Sequence, residues 1–340
     1  MKINSSLLIL AFFSLMLTSC ETEIDFSGRD TSTLLVVNSI ITPDSIIKVQ
    51  VSESRFFLDN DSKFNDVLNA SVKIWVNELE QPALLHTGNG LYVSSYKPKA
   101  GDKIKITAKN DKYAEVKSYT EIQPAIPISS VDTSSKVIDR YPVYTNGSYG
   151  GSAETNDTIY NYNIDFKMKL HIKDPKEVDN YYRIIVKLVN YYSNGMNSVS
   201  AVYFNSDDPV FESTSEEGIF GGGSYGLYSA FSDALFNGTE YKLSISSNLY
   251  TSSLNSSGSP IDENLYDDPY VVKKEFVFEL QSISKSYYLY LKSKEAGSNV
   301  MDFFSEPVQI YNNIEGGIGI FGNYNSSFFN LEIPKNMNIR

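Results

Sequence analysis

From residue 34 onward the chain alternates apolar and polar positions in short runs, each closed by turn-forming residues. In "IIKVQVSES", Ile47, Val49 and Val51 fall on one face; the turn Thr42-Pro43-Asp44 separates this run from the preceding "LLVVNSI". Alternation with period two marks a half-buried strand. "ASVKIWVN" repeats the pattern with Val72, Ile74 and Val76 inward, which turns Trp75 and Lys73 to the other face. "HTGNGLYVSSY" carries a Gly-Asn-Gly hairpin signal, "AGDKIKITAKN" aligns Ile104, Ile106 and Ala108, and "YAEVKSYTEI" continues as another strand. About six or seven such runs within about 100 residues predict an immunoglobulin- or fibronectin-like β-sandwich over 34–125. The prolines of "QPAIPISSV" mark the boundary.

A second region, 126–340, opens with a strand over Val131 to Ile138 and then the Tyr/Gly/Ser/Asn stretch "DRYPVYTNGSYGGSAETND", read as a long loop. "TIYNYNIDFKMKLHI" sets Ile164, Phe166, Met168 and Leu170 on one face. "NYYRIIVKLVNYY" is apolar on both faces, as a central strand covered on two sides would be. "YKLSISSNLY" and "KKEFVFELQSI" add strands, and "TSSLNSSGSPIDENLYDDP" reads as a polar insertion between them. One helix is predicted near 284–296: Ser284 or Ser286 caps it, Tyr287, Leu291 and Glu295 share a face, and Gly297 stops it. "GIGIFGNYNSSFFNLEIP" reads as two closing strands around an Asn-rich turn. The pattern therefore predicts a mainly β protein of two β-sandwich-like domains, with one short helix packed in the second.

The first 33 residues follow a different pattern. Lys2 is followed by an apolar run from Leu7 to Phe13 and on to Leu17, the profile of an export signal over 1–19. It is shorter than the roughly 20 apolar residues of a permanent span. Leu17-Thr18-Ser19-Cys20 resembles the bacterial lipobox, and Cys20 is the only cysteine of the chain. That resemblance implies cleavage between Ser19 and Cys20, with a diacylglyceryl thioether and an N-acyl chain on Cys20 and a tether over 20–33. Two or three acyl chains give stable anchoring, because each buried methylene adds about 0.8 kcal/mol.

Composition narrows the functional classes. A formal net charge of −12 argues against nucleic-acid binding and against adhesion to anionic headgroups, both of which need clustered Lys and Arg. With 25 Tyr and 19 Phe against one Trp, the aromatic content suits strands joined by polar turns. Tyr141, Tyr144 and Tyr149, set among Gly, Ser and Asn, form a candidate contact loop, since tyrosine offers contact area at low entropy cost.

Motifs of catalysis lack their context. Gly222-Gly223-Ser224-Tyr225-Gly226 matches G-x-S-x-G, but that motif needs a histidine after the serine, and both His86 and His171 precede it. Gly317-Ile318-Gly319-Ile320-Phe321-Gly322 matches G-x-G-x-x-G without room for the βαβ unit that would follow. Its glycines are expected to allow close backbone approach or a bulge. Acid clusters at Asp59, Asn60, Asp61 and Asp66, at Asp207-Asp208, and around Asp262, Glu263, Asp267 and Asp268 lack the EF-hand spacing for calcium. No metal or cofactor is expected, and no catalysis; a carboxylate-pair hydrolase is the enzyme alternative.

"LLVVNSIITPDSIIKVQVSES", "NASVKIWVN", Gly90-Leu91-Tyr92, "FSDALFNGTEYKL" and "EPVQIYNNIEGGIGIFG" together resemble Bacteroidetes lipoproteins grouped as domain of unknown function 4249. The resemblance implies an outer-membrane lipoprotein that assists a TonB-dependent nutrient transporter and is exposed on the cell exterior, with the periplasmic face as the alternative. The competing expectation is an adhesion protein that binds a host or matrix polymer. Asp44-Ser45-Ile46 and Asp157-Thr158-Ile159 resemble the phylum's O-glycosylation sequon, which makes Ser45 and Thr158 candidate sites.

Overall fold

The computed structural model describes residues 33–55, 64–143, 158–176, 178–205, 208–211, 229–255, 270–298 and 308–333. Within them the protein is mainly β with one α-helix. The amino-terminal strands are β1 (Leu35–Ile41), β2 (Lys48–Glu53), β3 (Ser71–Val76), β4 (Leu79–Glu80), β5 (Leu85–Gly88), β6 (Leu91–Val93), β7 (Lys103–Lys109) and β8 (Val116–Glu121). Strands β1, β2, β6 and β5 lie on one side and the four-stranded sheet β4-β3-β7-β8 on the other. Between them sits a core that includes Val37, Val49, Val51, Ile74, Ile104 and Ile106. The inward sets read from alternation, Ile47/Val49/Val51, Val72/Ile74/Val76 and Ile104/Ile106/Ala108, are all buried.

The remaining strands are β9 (Ile128–Val143), β10 (Thr158–Lys173), β11 (Tyr181–Tyr192), β12 (Asn197–Ala201), β13 (Ala230–Ser232), β14 (Glu240–Asn255), β15 (Val271–Ile283) and β16 (Ile318–Ile333). The three-stranded sheet β14-β10-β9 faces β11, β15 and β16 across a second core, in which Phe166 stacks on Phe276 at 5.2 Å. Helix α1 (Lys285–Ser298) covers the far side of that sheet's end through Tyr287 and Leu291. Ser284 caps it, accepting from the Tyr287 amide at 3.3 Å. Gly297 lies inside the helix instead of ending it.

The closing segment departs from the sequence expectation. It is one 16-residue strand, and there is no turn in it. Residues 318–323 pair in parallel with β1, and 324–333 pair antiparallel with β15, so a single nine-stranded sheet runs across both cores. Ile314 and Phe321 fill the amino-terminal core from the carboxy-terminal end of the chain. The Asn and Ser residues whose composition predicts a turn sit at alternate positions on one face, where they bind the linker. Asn323 Nδ2 donates to Glu121 O at 2.8 Å, Asn325 Nδ2 to Gln123 O at 2.9 Å, and Ser327 Oγ to Ile126 O at 2.6 Å. A proline-rich linker has few amides to offer, so its carbonyls take side-chain donors instead.

The glycines of G-x-G-x-x-G are the seam of this junction. A Cβ on Gly317 would meet Leu35 O at 2.5 Å, and one on Gly322 would meet Tyr287 Cβ at 2.9 Å. Gly319, opposite Val37, has φ +126, and a Cβ there would overlap the Val37 carbonyl oxygen. Close backbone approach, expected from the sequence, is what the structure contains.

Candidate functional site

Trp75, the only tryptophan, lies outside the cores. Because Val72, Ile74 and Val76 are buried, β3 turns Lys73 and Trp75 outward. The register then lines up Glu80, Trp75, Lys105 and Tyr119 across four strands on the outer face of the β4-β3-β7-β8 sheet. Lys105 Nζ sits 4.5 Å from the Trp75 ring centroid, a cation–π contact worth about 0.5–1 kcal/mol at an exposed site. Tyr119 is 54% exposed. Lys73 is paired with Glu80 at 2.7 Å and Lys117 with Glu315 at 3.1 Å. Lys103, Lys105 and Lys109, all on β7, form no ion pair among the described residues.

Elsewhere, buried carboxylates serve the backbone. Asp174 accepts from Tyr182 Oη at 2.5 Å and from the Gly238 amide at 2.8 Å, and Asp233 accepts from the Asn180 amide at 2.8 Å. Burial pushes Tyr182 well above the ordinary phenol range, reinforced by Asp174. Burial also raises Asp233. Asp208 accepts from Tyr241 Oη at 2.6 Å and from the Ser244 amide at 2.8 Å, which ties it to β14. Burial alone would raise Glu279; hydrogen bonds from Gln281, Ser326 and Lys187 instead hold it below the usual carboxylate range.

His171, on the outer face of β10, bridges three strands: Nε2 is 2.8 Å from Asp132 on β9 and Nδ1 is 3.2 Å from Glu240 on β14. The two acids flank opposite edges of the ring, so they do not converge on one point. Among the described residues no group of three His, Cys, Asp or Glu is arranged to hold a metal ion. A cleft of about 270 Å³ opens between Gln123, Asp179, Asn180 and Tyr181, Ser282 near the end of β15, and Lys285 at the start of α1.

A family model described as Domain of unknown function (DUF4249) matches residues 21–328. The chain belongs to the DUF4249 family. No match was found among curated proteins. The DUF4249 span begins directly after Cys20 and takes in β1 and most of β16, the two strands that join the cores. Of the segments that resemble the family, "NASVKIWVN" covers β3 with Trp75, "FSDALFNGTEYKL" carries the Asp233 and Gly238 loop, and "EPVQIYNNIEGGIGIFG" carries the glycine junction.

Of the residues singled out from the sequence, Ser19, Cys20, Tyr144 and Tyr149 lie outside the described residues, as do Ser224 and the acids at 59–61, 207 and 262–268. Tyr141 is in a strand, not a loop: β9 runs on to Val143 because its pairing with β10 continues, with Tyr141 opposite Asn161. Ser45 is exposed in the turn between β1 and β2, and Thr158 opens β10 opposite Asn255. Asp66 is exposed and accepts from Gln50 Nε2 at 3.2 Å. The sequence placed Trp75 and Lys73 outward, but their alignment with Lys105 and Tyr119 depends on register, for which no local signal exists.

Proposed function

We propose that this DUF4249 protein is an outer-membrane lipoprotein, held by acyl chains on Cys20 and exposed on the cell exterior, that serves a TonB-dependent nutrient transporter as a binding partner. The observation that carries the reading is Leu17-Thr18-Ser19-Cys20 closing a short apolar leader. A tether over 20–33 can reach at most about 50 Å, enough to set the folded part beside a neighbouring membrane protein. The role is binding, not catalysis, since the buried carboxylates Asp174, Asp208 and Asp233 are engaged by backbone amides and tyrosine hydroxyls. A second reading, adhesion to a host or matrix polymer, draws on the open sheet face with Trp75 and Tyr119.

The test is extraction of the native protein in mild detergent from cells growing on the nutrient that induces it. A barrel transporter that co-purifies in constant ratio is the expected result. Elution of the chain alone from such cells would overturn the transporter role.

A further inference from the structure

We propose that the outer face of the β4-β3-β7-β8 sheet is a docking strip for an acidic polysaccharide, a chain of sugars bearing carboxylates. The assignment rests on the second reading above, polymer adhesion through this face, and names the polymer's chemistry; it needs neither the lipid nor a transporter.

Two features select this ligand. The first is the aromatic pair. Trp75 and Tyr119 are separated by the intervening strand β7, so their backbones lie two strand spacings apart, about 9.6 Å. An extended sugar chain laid across the strands meets one ring, then Lys105, then the other, and the apolar C–H faces of pyranose rings stack on aromatic faces. The second is charge. Among the described residues Lys103, Lys105 and Lys109 form no ion pair, on a protein whose net charge is −12, so a carboxylated polymer is repelled by most of the surface and attracted here.

Lys105 couples the two features. Its contact with the indole is worth only about 0.5–1 kcal/mol. Moving the ammonium from the ring to a ligand carboxylate uncovers the indole face in the same step. A Lys105 that only braced Trp75 would account neither for the exposed Tyr119 beside it nor for Lys103 and Lys109, which form no ion pair among the described residues.

Single-stranded nucleic acid also combines anions with stackable rings. Nucleic-acid binding rests on a cluster of Lys and Arg that neutralises the backbone phosphates, and here Lys73 and Lys117 are already taken up by Glu80 and Glu315 on a protein of net charge −12. The glycan is therefore favoured.

As the chain's only tryptophan, Trp75 reports the binding directly. The purified full-length protein in mild detergent is titrated with galacturonate oligosaccharides, neutral glucose oligosaccharides and a single-stranded oligonucleotide, with indole emission as the readout. The galacturonate oligomers are expected to change the emission saturably, and less so as salt is raised. Tyr119→Ala and Lys105→Ala are each expected to weaken binding about tenfold, whereas Tyr203→Ala, at an exposed tyrosine elsewhere, leaves it unchanged. Circular dichroism identical to wild type confirms that each variant is folded. No emission change with galacturonate oligomers, an equal response to the neutral sugars or the oligonucleotide, or wild-type affinity in folded Tyr119→Ala would each overturn the proposal. None of these outcomes bears on the anchor or on co-purification with a transporter.

Discussion

Substituting Gly319 by alanine tests the junction that makes one sheet out of strands from opposite ends of the chain. Two costs add. At φ +126 a non-glycine residue is strained by about 1–3 kcal/mol. The new Cβ would also overlap the Val37 carbonyl oxygen, with Val37 C at 2.8 Å and Asn38 Oδ1 at 2.9 Å. Those are backbone atoms of β1 and a side chain that accepts the Ile320 amide at 3.2 Å, so relief requires β1 and β16 to separate locally. Overpacking of this kind costs about 1–3 kcal/mol more, which gives roughly 2–6 kcal/mol in all. Against a typical net stability of about 5–15 kcal/mol that is a large fraction. Gly195→Ala is the internal control: φ is +81 and nothing lies within 4 Å of its Cβ, so only the backbone cost of about 1 kcal/mol applies. Urea unfolding followed by Trp75 emission and circular dichroism should show a clearly lower midpoint for Gly319→Ala than for Gly195→Ala. If the two variants unfold within about 0.5 kcal/mol of each other, β16 does not approach β1 as described.

Further outcomes follow from the buried and bridging groups. Hydrogen bonds to Asp132 and Glu240 raise His171, with burial and the nearby Lys242 opposing. The stability His171 contributes is therefore complete below its unfolded value, near pH 6.5, and is lost as pH rises through the raised folded value. Asp132, held low chiefly by the same hydrogen bond, gives a contribution that is lost only as pH falls through its lowered value. Urea midpoints measured against pH should decline in the wild type as pH rises beyond about 6.5 and through the raised His171 value, and His171→Asn should flatten that decline; an unchanged profile would mean that the bridge does not form. Tyr182→Phe removes a donor from Asp174 and should cost about 1–3 kcal/mol by urea unfolding, because the carboxylate stays buried with one fewer partner. A loss below about 0.5 kcal/mol would show that water replaces the hydroxyl.

Local sequence carried the identity of the faces, because burial follows alternation. Alternation turns Val72, Ile74 and Val76 inward, where the structure buries them, and Tyr287, Leu291 and Glu295 share the buried face of α1. What alternation does not encode is which strand lies alongside. Residues 318–333 read as two strands because Asn323, Asn325 and Ser327 are turn formers by composition. Their period of two, which marks one strand face, is legible once the linker carbonyls they bind are known. The His171 bridge and the Trp75, Lys105 and Tyr119 row share that limit: each joins residues from separate strands, and register alone brings them together. The net charge of −12 likewise hides a face on which lysines outnumber acids, since a sum over the chain holds no positions.

The central claim, that acyl chains on Cys20 hold this DUF4249 protein at the outer membrane, is tested most directly by labelling cells with palmitate and fractionating them, for the wild type and for Cys20→Ala. The account predicts that the wild-type chain takes up label and sediments with outer membranes, whereas Cys20→Ala is unlabelled and released. A wild-type chain without label, together with a Cys20→Ala chain that still sediments with outer membranes, would contradict it.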